Sequence, residues 1–586
     1  MPDLRLPFIM IIPLPSDREQ SFWIYIEPNH VYLFYLLLLV CCSEELRTSS
    51  KRTTLQNSIR RLTSSTVLLP AFVAVFAAGG LLPLSVLGAN VANADKAEII
   101  TVIGIYTHAW FLSFALGLPP IVLALEFLGI RRRNPDYMKA AERTSRIWGI
   151  SFAAGAATGT LVEFGLVQIW SGSLIVLGTF FFAPLFIEVF AFMLELVLLV
   201  LYLFTWSTYR YTWKHWMFGL FIAVGSIWSA YQILAANAWM NIPWGTGDLV
   251  SKVLPWVPTL GPNVTNSTAM IQVLNFLPSN GSAVIGNLNA MQSIGQILTN
   301  PLIAFSNPEA VPLFLHTVTA SIATIGFLAS MFLSVEYFRN RGKREYYAKF
   351  LKVTFGIAAV ASLIQPLFGD MEGRLEYTYM YTKFLALEGI PPQGGTNPIL
   401  GLLLFNNPNY FFQGFDYLRT LVGSSISPGL ASYTIDFAQQ NQPWLTAFFL
   451  VMVVSSIIMF IFSIVYFGLY SKKLNRLVRL VFRRDTQDVL FASSLVLPFL
   501  AILASVFGWV AREMGRHPWS IYGLITYNEI VTPVNLTWSY ITLIAFIELL
   551  LGVGGTVAMY ISFQWKASDE NLLPEKSQDA QQLVKN

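Results

Sequence analysis

The chain has 586 residues, of which 55% are hydrophobic and 12% are charged. A soluble domain carries about 25% charged residues, so this composition excludes an ordinary soluble protein and predicts a membrane protein. The net charge of +4 does not indicate nucleic-acid binding, because the basic residues lie in short loops. The only cysteines, Cys41 and Cys42, are adjacent, which excludes CxxC redox pairs, zinc clusters, CxxCH haem attachment and iron–sulfur ligand sets.

Residues 1–100 are predicted to be an extension that precedes the core of the protein. A basic stretch at 47–61 is followed by an apolar run at 67–87 and an A-N-A sequence at 92–94. This order fits a secretory signal, an additional transmembrane helix, or a sequence in which Met1 is not the true start. The sequence leaves these three alternatives open.

Long apolar runs recur after the extension and predict an all-α polytopic membrane protein in the plasma membrane, with a core bundle of nine helices. No internal repeat is visible, so the sequence does not support an inverted-repeat transporter. The predicted spans are 101–129, 146–168, 179–206, 217–239, 311–338, 348–368, 443–470, 491–511 and 539–563.

Positive charge alternates between the loops and predicts the orientation of the chain. The two long loops 240–310 and 369–442 are poor in Lys and Arg, and we expect both outside the cell. These loops separate three transmembrane blocks, 101–239, 311–368 and 443–565. We expect the remaining loops and the tail in the cytoplasm: 130–145, 207–216, 339–347, 471–490 and 566–586.

Six candidate site residues on six different spans fall in the outer half of the predicted bilayer, counting 1.5 Å per residue along each helix. Ionisable groups at this depth are costly and often mark a site. Each also has a structural explanation, since membrane histidines are commonly hydrogen-bonded packing residues and methionines are commonly core residues. The six are His108, Glu163, Glu188, His316, Met452 and Glu513.

Glu195 lies seven residues after Glu188, so the two carboxylates face the same way about 10 Å apart, with Glu195 the deeper. They form a candidate relay for protons moving from the cytoplasm toward the outer cluster. The structural alternative is two unrelated hydrogen bonds between helices.

Histidine, methionine and glutamate on separate helices suit haem iron, which accepts His, Met/His and other axial ligands. A His/Met pair is typical of low-spin electron transfer, and a haem with an open position binds O2. The chain has five histidines, too few for the six-histidine centres of haem–copper oxidases. His215 follows Lys214 in a predicted cytoplasmic loop, where we expect it to be solvated.

A charged and aromatic stretch follows the apolar run 490–510. Glu513 is the strongest single candidate in it. The alternative is that Arg512 and Arg516 are headgroup anchors and that Glu513 is their salt-bridge partner.

The E-M-G-R-H-P-W sequence at 513–519 resembles the E-x-G-R-Q-P-W signature of subunit I of cytochrome bd-type quinol oxidases, with His517 in place of the usual glutamine. Four further blocks resemble the same family in the same order, and the resemblance covers residues 100–565. The four are A-T-G with E-F at 157–164, A-P-L-F-I-E at 183–188, A-N-A-W-M at 236–240 and H-T-V at 316–318.

The resemblance implies three haems. His316 and Met452 resemble the axial pair of low-spin haem b558. His108 and Glu513 resemble the ligands at the two high-spin haems, b595 and d, or a further haem b in place of d, and which ligand serves which haem stays open. The residues that would support the haem site are Arg516, Trp509 and Trp519.

One departure from the family concerns the low-spin haem. The arginine that the family carries two residues before the axial methionine is Leu450 here. The resemblance therefore does not say what compensates the charge of that haem.

Other site residues are implied in the same way. Glu188 resembles a carboxylate beside the haems, and Glu195 and Ser229 resemble members of the proton path. Lys383 and Glu388 match the Lys/Glu pair near quinol, at the start of a loop that resembles the family's quinol-binding loop.

The resemblance implies a terminal quinol oxidase, an electrogenic enzyme that oxidises quinol outside and reduces O2 to water with cytoplasmic protons, without pumping. Its partners would be quinol, O2, the lipid bilayer and a second subunit, subunit II. One alternative is a proton-coupled transporter that uses Glu163, Glu188 and Glu195. Another is an accessory subunit that has lost catalysis.

Overall fold

The computed structural model describes residues 92–262, 266, 268–272, 302–532 and 536–563. The chain divides into two compact units, Met1–Gly88 and Ala89–Asn586, and all described residues belong to the second. The expectations for most of the extension 1–100 and for the tail 566–586 lie outside the described residues.

Within the described residues, nine long helices form, most of them where the sequence is continuously apolar, because a backbone inside a bilayer must satisfy its own hydrogen bonds. They are α1 (Ala92–Arg132), α2 (Pro135–Ile169), α3 (Ser171–Phe204), α4 (Trp213–Asn241), α5 (Ala310–Arg339), α6 (Arg344–Tyr379), α7 (Pro428–Tyr466), α8 (Leu497–Met514) and α9 (Trp538–Phe563).

Each predicted span coincides with one of these helices over most of its length. Within the described ranges, eight helices are long and apolar enough to cross a membrane, which confirms a helical multi-pass membrane protein. The number of crossings stays a prediction. The eighth span begins later than predicted, because a turn at 494–496 interrupts the helix and Pro498 lies in the first turn of α8.

The loops fold into short elements against the helix ends. Strand β1 (Gly395–Thr396) pairs antiparallel with β2 (Phe411–Phe412), and β3 (Trp519–Ile521) pairs antiparallel with β4 (Ile525–Thr526). The short α-helices are Leu249–Val253, Tyr381–Leu387, Pro398–Phe405, Phe415–Leu421, Lys472–Phe482, Thr486–Ser493 and Tyr527–Ile530, and the 3-10 turns are Ile303–Ser306, Arg341–Lys343, Val422–Ser424 and Phe467–Leu469.

Helix α5 lies at the centre of the bundle and packs against α1, α4, α6 and α8. Small residues allow the close contacts: a Cβ added at Gly117 of α1 would lie 2.6 Å from Ile325 Cβ, and one at Gly326 would lie 2.7 Å from Ala358 Cβ of α6. Helices in lipid associate largely through such close packing, since burial of apolar surface gains little there.

A hydrophobic cluster covers the end of the bundle at which α4 and α8 end and α7 begins, and it fixes the segment after α8. Trp239, Trp519 and Tyr522 are fully buried in it. The Trp519 indole donates to Thr434 Oγ1 of α7 at 2.9 Å, and the Tyr522 amide donates to the Met240 carbonyl at 2.9 Å. Trp519 therefore anchors β3 to α4 and α7.

The expectation that His215 is solvated is wrong. Its side chain is fully buried in the first turn of α4, where Nδ1 lies 2.6 Å from Glu126 Oε1 of α1. The Tyr202 hydroxyl of α3 donates to the other Glu126 oxygen at 2.6 Å, and the Tyr202 ring stacks on the imidazole. The neighbouring Lys214 is exposed, so a charged neighbour in sequence did not indicate the environment of His215.

We predict that Gly326→Ala destabilises the bundle by about 1–3 kcal/mol, because the new methyl group would overlap Ala358 and force α5 and α6 apart. Gly342→Ala is the matched control, since a Cβ at Gly342 meets nothing within 4 Å. Thermal unfolding of the two detergent-purified variants would measure the difference. Equal unfolding temperatures would contradict the close contact.

Candidate functional site

Four helices form a ring that brings two candidate ligands to opposite sides. Helix α5 packs against α6 and α8, and α7 packs against the same two helices, so α5 and α7 face each other across the ring. His316 lies on α5 and Met452 lies on α7. The ring therefore carries a histidine and a methionine on two opposite helices.

His316 is held at its backbone and lies against a glycine. The Gln365 side-chain amide of α6 donates to the His316 carbonyl at 3.1 Å. A Cβ added at Gly369 of α6 would lie 3.5 Å from His316 Cε1. The buried Nδ1 of His316 has no hydrogen-bond partner, and a buried polar atom in that state costs free energy unless another group satisfies the ring.

Met452 also lies against a glycine. A Cβ added at Gly508 of α8 would lie only 2.8 Å from Met452 Sδ. Each of the other two helices of the ring thus carries a glycine, Gly369 or Gly508, beside a candidate ligand. Any larger residue at either position would narrow the ring.

Glu513 lies at the last turn of α8 and keeps 35% of its side chain exposed. Oε1 accepts from Asn237 Nδ2 of α4 at 3.0 Å, and Oε2 pairs with Arg516. Arg516 is 2% exposed and also donates to Asn241 Oδ1 at 3.1 Å. Arg516 is therefore the salt-bridge partner of Glu513 and not a headgroup anchor.

Arg512 is buried as well, with 8% of its surface exposed, so the anchor interpretation is wrong for it too. Nε donates to Asn237 Oδ1 at 2.8 Å. Nη1 donates to Glu309 Oε1 at 2.9 Å and to Glu372 Oε2 at 3.2 Å. Its Nη2 is buried without a hydrogen-bond partner.

Sequence reasoning missed Glu309 and Glu372. The first ends the loop 240–310, for which no function was predicted. The second was assigned to the outer loop, whereas α6 continues to Tyr379. The one available signal was helical spacing, since Glu309 precedes His316 by seven residues on what is nearly the same helix face.

His108 on α1 faces α2. Nδ1 lies 3.1 Å from the Gly155 carbonyl and 3.4 Å from Thr158 Oγ1. Donation to a carbonyl places the proton on Nδ1 and leaves the lone pair on Nε2, the arrangement in which a metal-ligating histidine is oriented by its second nitrogen. The Tyr106 hydroxyl donates to the Val506 carbonyl at 3.3 Å, so the helix of His108 contacts the helix of Glu513.

Glu188 and Glu195 on α3 both contact serines on α4. The Ser229 hydroxyl donates to Glu188 Oε1 at 3.0 Å, and the Ser226 hydroxyl donates to Glu195 Oε1. Sequence reasoning named Ser229 and missed Ser226, which lies three residues earlier on the same side of α4. The side chain of Glu163 lies outside the described residues.

Lys383 is fully buried in the short helix Tyr381–Leu387. Its Nζ lies 2.6 Å from Glu376 Oε1, within ion-pair distance, although the alignment is not that of a hydrogen bond. A Cβ added at Gly515 would lie 2.6 Å from Lys383 Cγ. The lysine stem thus packs directly on the segment that follows Glu513.

Glu388 ends the same short helix and is half-buried. Burial, with a smaller contribution from the negative charge of Glu376, raises the pKa of the Glu388 carboxyl to about 7. Six aromatic rings pack together beside this helix and join the end of α6 to strand β2 and the segment before it: Tyr377, Tyr381, Phe384, Phe405, Tyr410 and Phe412.

Trp509 packs with a cluster between α4 and α5 that contains Leu234 and Leu313. The Arg512 guanidinium lies 6.0 Å from the Trp509 ring centroid. Arg516 therefore pairs with the candidate ligand Glu513, and Trp509 lies beside Arg512, whereas Trp519 belongs to the hydrophobic cluster around the segment after α8.

The residues of the ring fit a porphyrin. The donor set is an imidazole with an unsatisfied nitrogen and a thioether, and glycines line the remaining walls. Within the described ranges, no three His, Cys, Asp or Glu side chains converge to hold a bare metal ion. Haem iron needs only one or two ligands from the protein, which matches separate candidates on separate helices.

Known proteins share this sequence and fold. The family model for cytochrome bd terminal oxidase subunit I matches residues 97–568. Cytochrome bd ubiquinol oxidase subunit 1 of Bacillus subtilis (strain 168) is 26% identical over 452 residues, covering 73% of this chain and 84% of that protein. The putative cytochrome bd menaquinol oxidase subunit I of the same organism is 21% identical over 481 residues, covering 79% and 95%.

The structure of bd oxidase from Geobacillus thermodenitrificans matches with a TM-score of 0.60 at 20% identity, covering 80% of this chain and 98% of that one. At this identity the structural match supports the fold. The family model extends over nearly all of the described residues, from α1 to the end of α9. The chain therefore belongs to the cytochrome bd terminal oxidase subunit I family, which is haem-dependent.

Proposed function

We propose that this chain is the haem-carrying subunit of a quinol:O2 oxidoreductase that works across the membrane. The observation that carries the proposal is the four-helix ring, in which His316 of α5 lies beside Gly369 of α6 and Met452 of α7 lies beside Gly508 of α8. A relay of carboxylates alone would not require an imidazole, a thioether and two glycines in this arrangement. The family model supports the same conclusion.

His316 and Met452 would hold low-spin haem b558, and His108 and Glu513 would serve haem b595 and haem d, or a further haem b in place of d. When bound, these haems supply one-electron transfer and the iron at which O2 is reduced. The chain orients its ligands: the Gly155 carbonyl fixes the His108 ring, and Asn237 and Arg516 fix the Glu513 carboxylate.

Quinol would be oxidised at the outer loop. The ionised Glu388 accepts a quinol proton, and its pKa of about 7 leaves it partly ionised at neutral pH. Lys383, paired with Glu376, would hold a positive charge beside the quinol ring. The aromatic cluster next to the short helix offers flat apolar surfaces to a quinol, and the relatives named as ubiquinol and menaquinol oxidases support this class of substrate.

Protons for water formation would come from the cytoplasm. Glu195 with Ser226, and Glu188 with Ser229, succeed each other outward along the contact between α3 and α4. Proton release at the outer loop and proton uptake from inside separate charge without a pump. Glu163 stays a candidate member of this path.

A second subunit completes the proposal, because the relatives are named as subunit 1 of their oxidases. The visible spectrum of the detergent-purified protein tests the whole assignment. Haem bands support an oxidase. Their absence would support the proton-coupled transporter, and low-spin haem alone would support a subunit that has lost catalysis.

We predict that His316→Ala abolishes the low-spin haem bands of the reduced-minus-oxidised spectrum while the protein still inserts, because the iron loses its imidazole ligand. His517→Gln is the matched control. It removes a histidine from the same side of the membrane, and its ring packs between Phe437 and Tyr527 away from the proposed haem b558 ligands. An unchanged spectrum in His316→Ala would contradict the assignment.

We predict that turnover at saturating quinol rises about tenfold per pH unit below pH 7 and levels above it, because only ionised Glu388 accepts the proton and its pKa is about 7. Glu388→Gln should lower the plateau by about 10²–10⁴-fold and remove the rising limb. Asp416→Asn, at an exposed outer carboxylate, should keep both. If the turnover of Glu388→Gln still rose with pH below pH 7, Glu388 would be excluded as the proton acceptor.

A further inference from the structure

Arg512 lies one layer outward of the proposed low-spin haem ligands on every helix that can be traced. On α8 it follows Gly508, the neighbour of Met452, by four residues. On α6 its partner Glu372 follows Gly369, the neighbour of His316, by three residues. Spacings of three and four residues keep side chains on one helix face.

Helix α5 also places Arg512 outward of the proposed ligands. Glu309, which accepts from Arg512, precedes His316 on α5 by seven residues, or about two turns. Helix α5 starts at its outer end, so Glu309 is outward of His316. Three independent helices thus place the guanidinium just outside the space between His316 and Met452.

The guanidinium has one donor group left over. Nε and Nη1 are bound to Asn237, Glu309 and Glu372, but Nη2 is buried without a partner. A buried donor on a charged group is costly to leave unsatisfied. The planar fork of arginine matches a carboxylate, so an acidic group of a ligand would complete it.

No other cation is available on the wall that carries Met452. Helix α7 and the turn after it contain no charged residue from 437 to 471, and position 450 is a leucine with 51% of its surface exposed. The outer half of α5 contains no Lys or Arg. On α6, Arg374 is exposed and paired with Asp370, whereas Arg512 on α8 is buried. Arg512 is therefore the best-placed cation at this end of the ring.

We propose that Arg512 is the positioning cation of the low-spin haem, and that its free Nη2 donates to a propionate carboxylate of that haem. This rests on the proposed function, because it assumes a porphyrin between His316 and Met452. Arg512 compensates the negative charge gained on reduction, the role that Leu450 cannot fill. Glu309, Glu372 and Asn237 hold the guanidinium in place for it.

Spectroelectrochemical titration of the purified protein tests the proposal independently of turnover. Arg512→Gln should disfavour the reduced low-spin haem by about tenfold or more, a fall in midpoint potential of about 59 mV or more for one electron. Arg512→Lys keeps the positive charge, and it should lower the midpoint potential by less than half as much as Arg512→Gln. Arg419→Gln removes an exposed outer arginine and should change it less than twofold.

The outcomes separate the two proposals. Wild-type protein without low-spin bands would overturn the proposed function itself. Low-spin bands whose potential is the same in Arg512→Gln and Arg419→Gln would overturn only the role of Arg512. If Arg512→Gln loses the bands, their retention in Arg512→Lys supports the requirement for a cation, and their loss in inserted Arg512→Lys protein counts against it.

Discussion

The burial of two guanidinium groups at the end of α8 is the constraint on which the site depends. Arg512 and Arg516 are almost wholly enclosed, and a charge removed from water is tolerated only when it is paired and hydrogen-bonded. Their partners come from four helices: Asn237 and Asn241 from α4, Glu309 from the start of α5, Glu372 from α6 and Glu513 from α8. These contacts join the four helices in the register that the structure shows.

That register fixes the layer below it. Once Glu309, Glu372 and Arg512 meet, helical spacing determines where His316, Gly369 and Gly508 lie, because each is three to seven residues away on the same helix as one of them. The short helix Tyr381–Leu387 is held against the same helices, because the stem of Lys383 packs on Gly515. The positions of the candidate ligands and of the short helix Tyr381–Leu387 therefore depend on the pairing of buried charges.

The sequence predicted the helices and named candidate ligands that stay predictions, but it did not predict the contacts that position them. Continuous apolar runs predict helices because a lipid environment permits little else, and the order of the motifs identified the family. Pairing partners were missed because they are distant in sequence: Arg512 and Glu309 are 203 residues apart, and Glu126 and His215 are 89 apart. Residues adjacent in sequence can also differ in environment, since Lys214 is exposed and His215 beside it is buried.

Leu450 shows why a departure from a family pattern needs a three-dimensional context. In the sequence alone, Leu450 replaces the positive charge that the family carries two residues before the axial methionine. In the folded protein, α8 packs against α7 and carries Arg512 one turn outward of the residue that touches Met452. Either helix can supply a charge at this layer. The electrostatic effect depends on the distance and burial of the charge and not on which helix carries it. Loss of a motif residue is therefore a loss of function only where no neighbouring helix reaches the same layer.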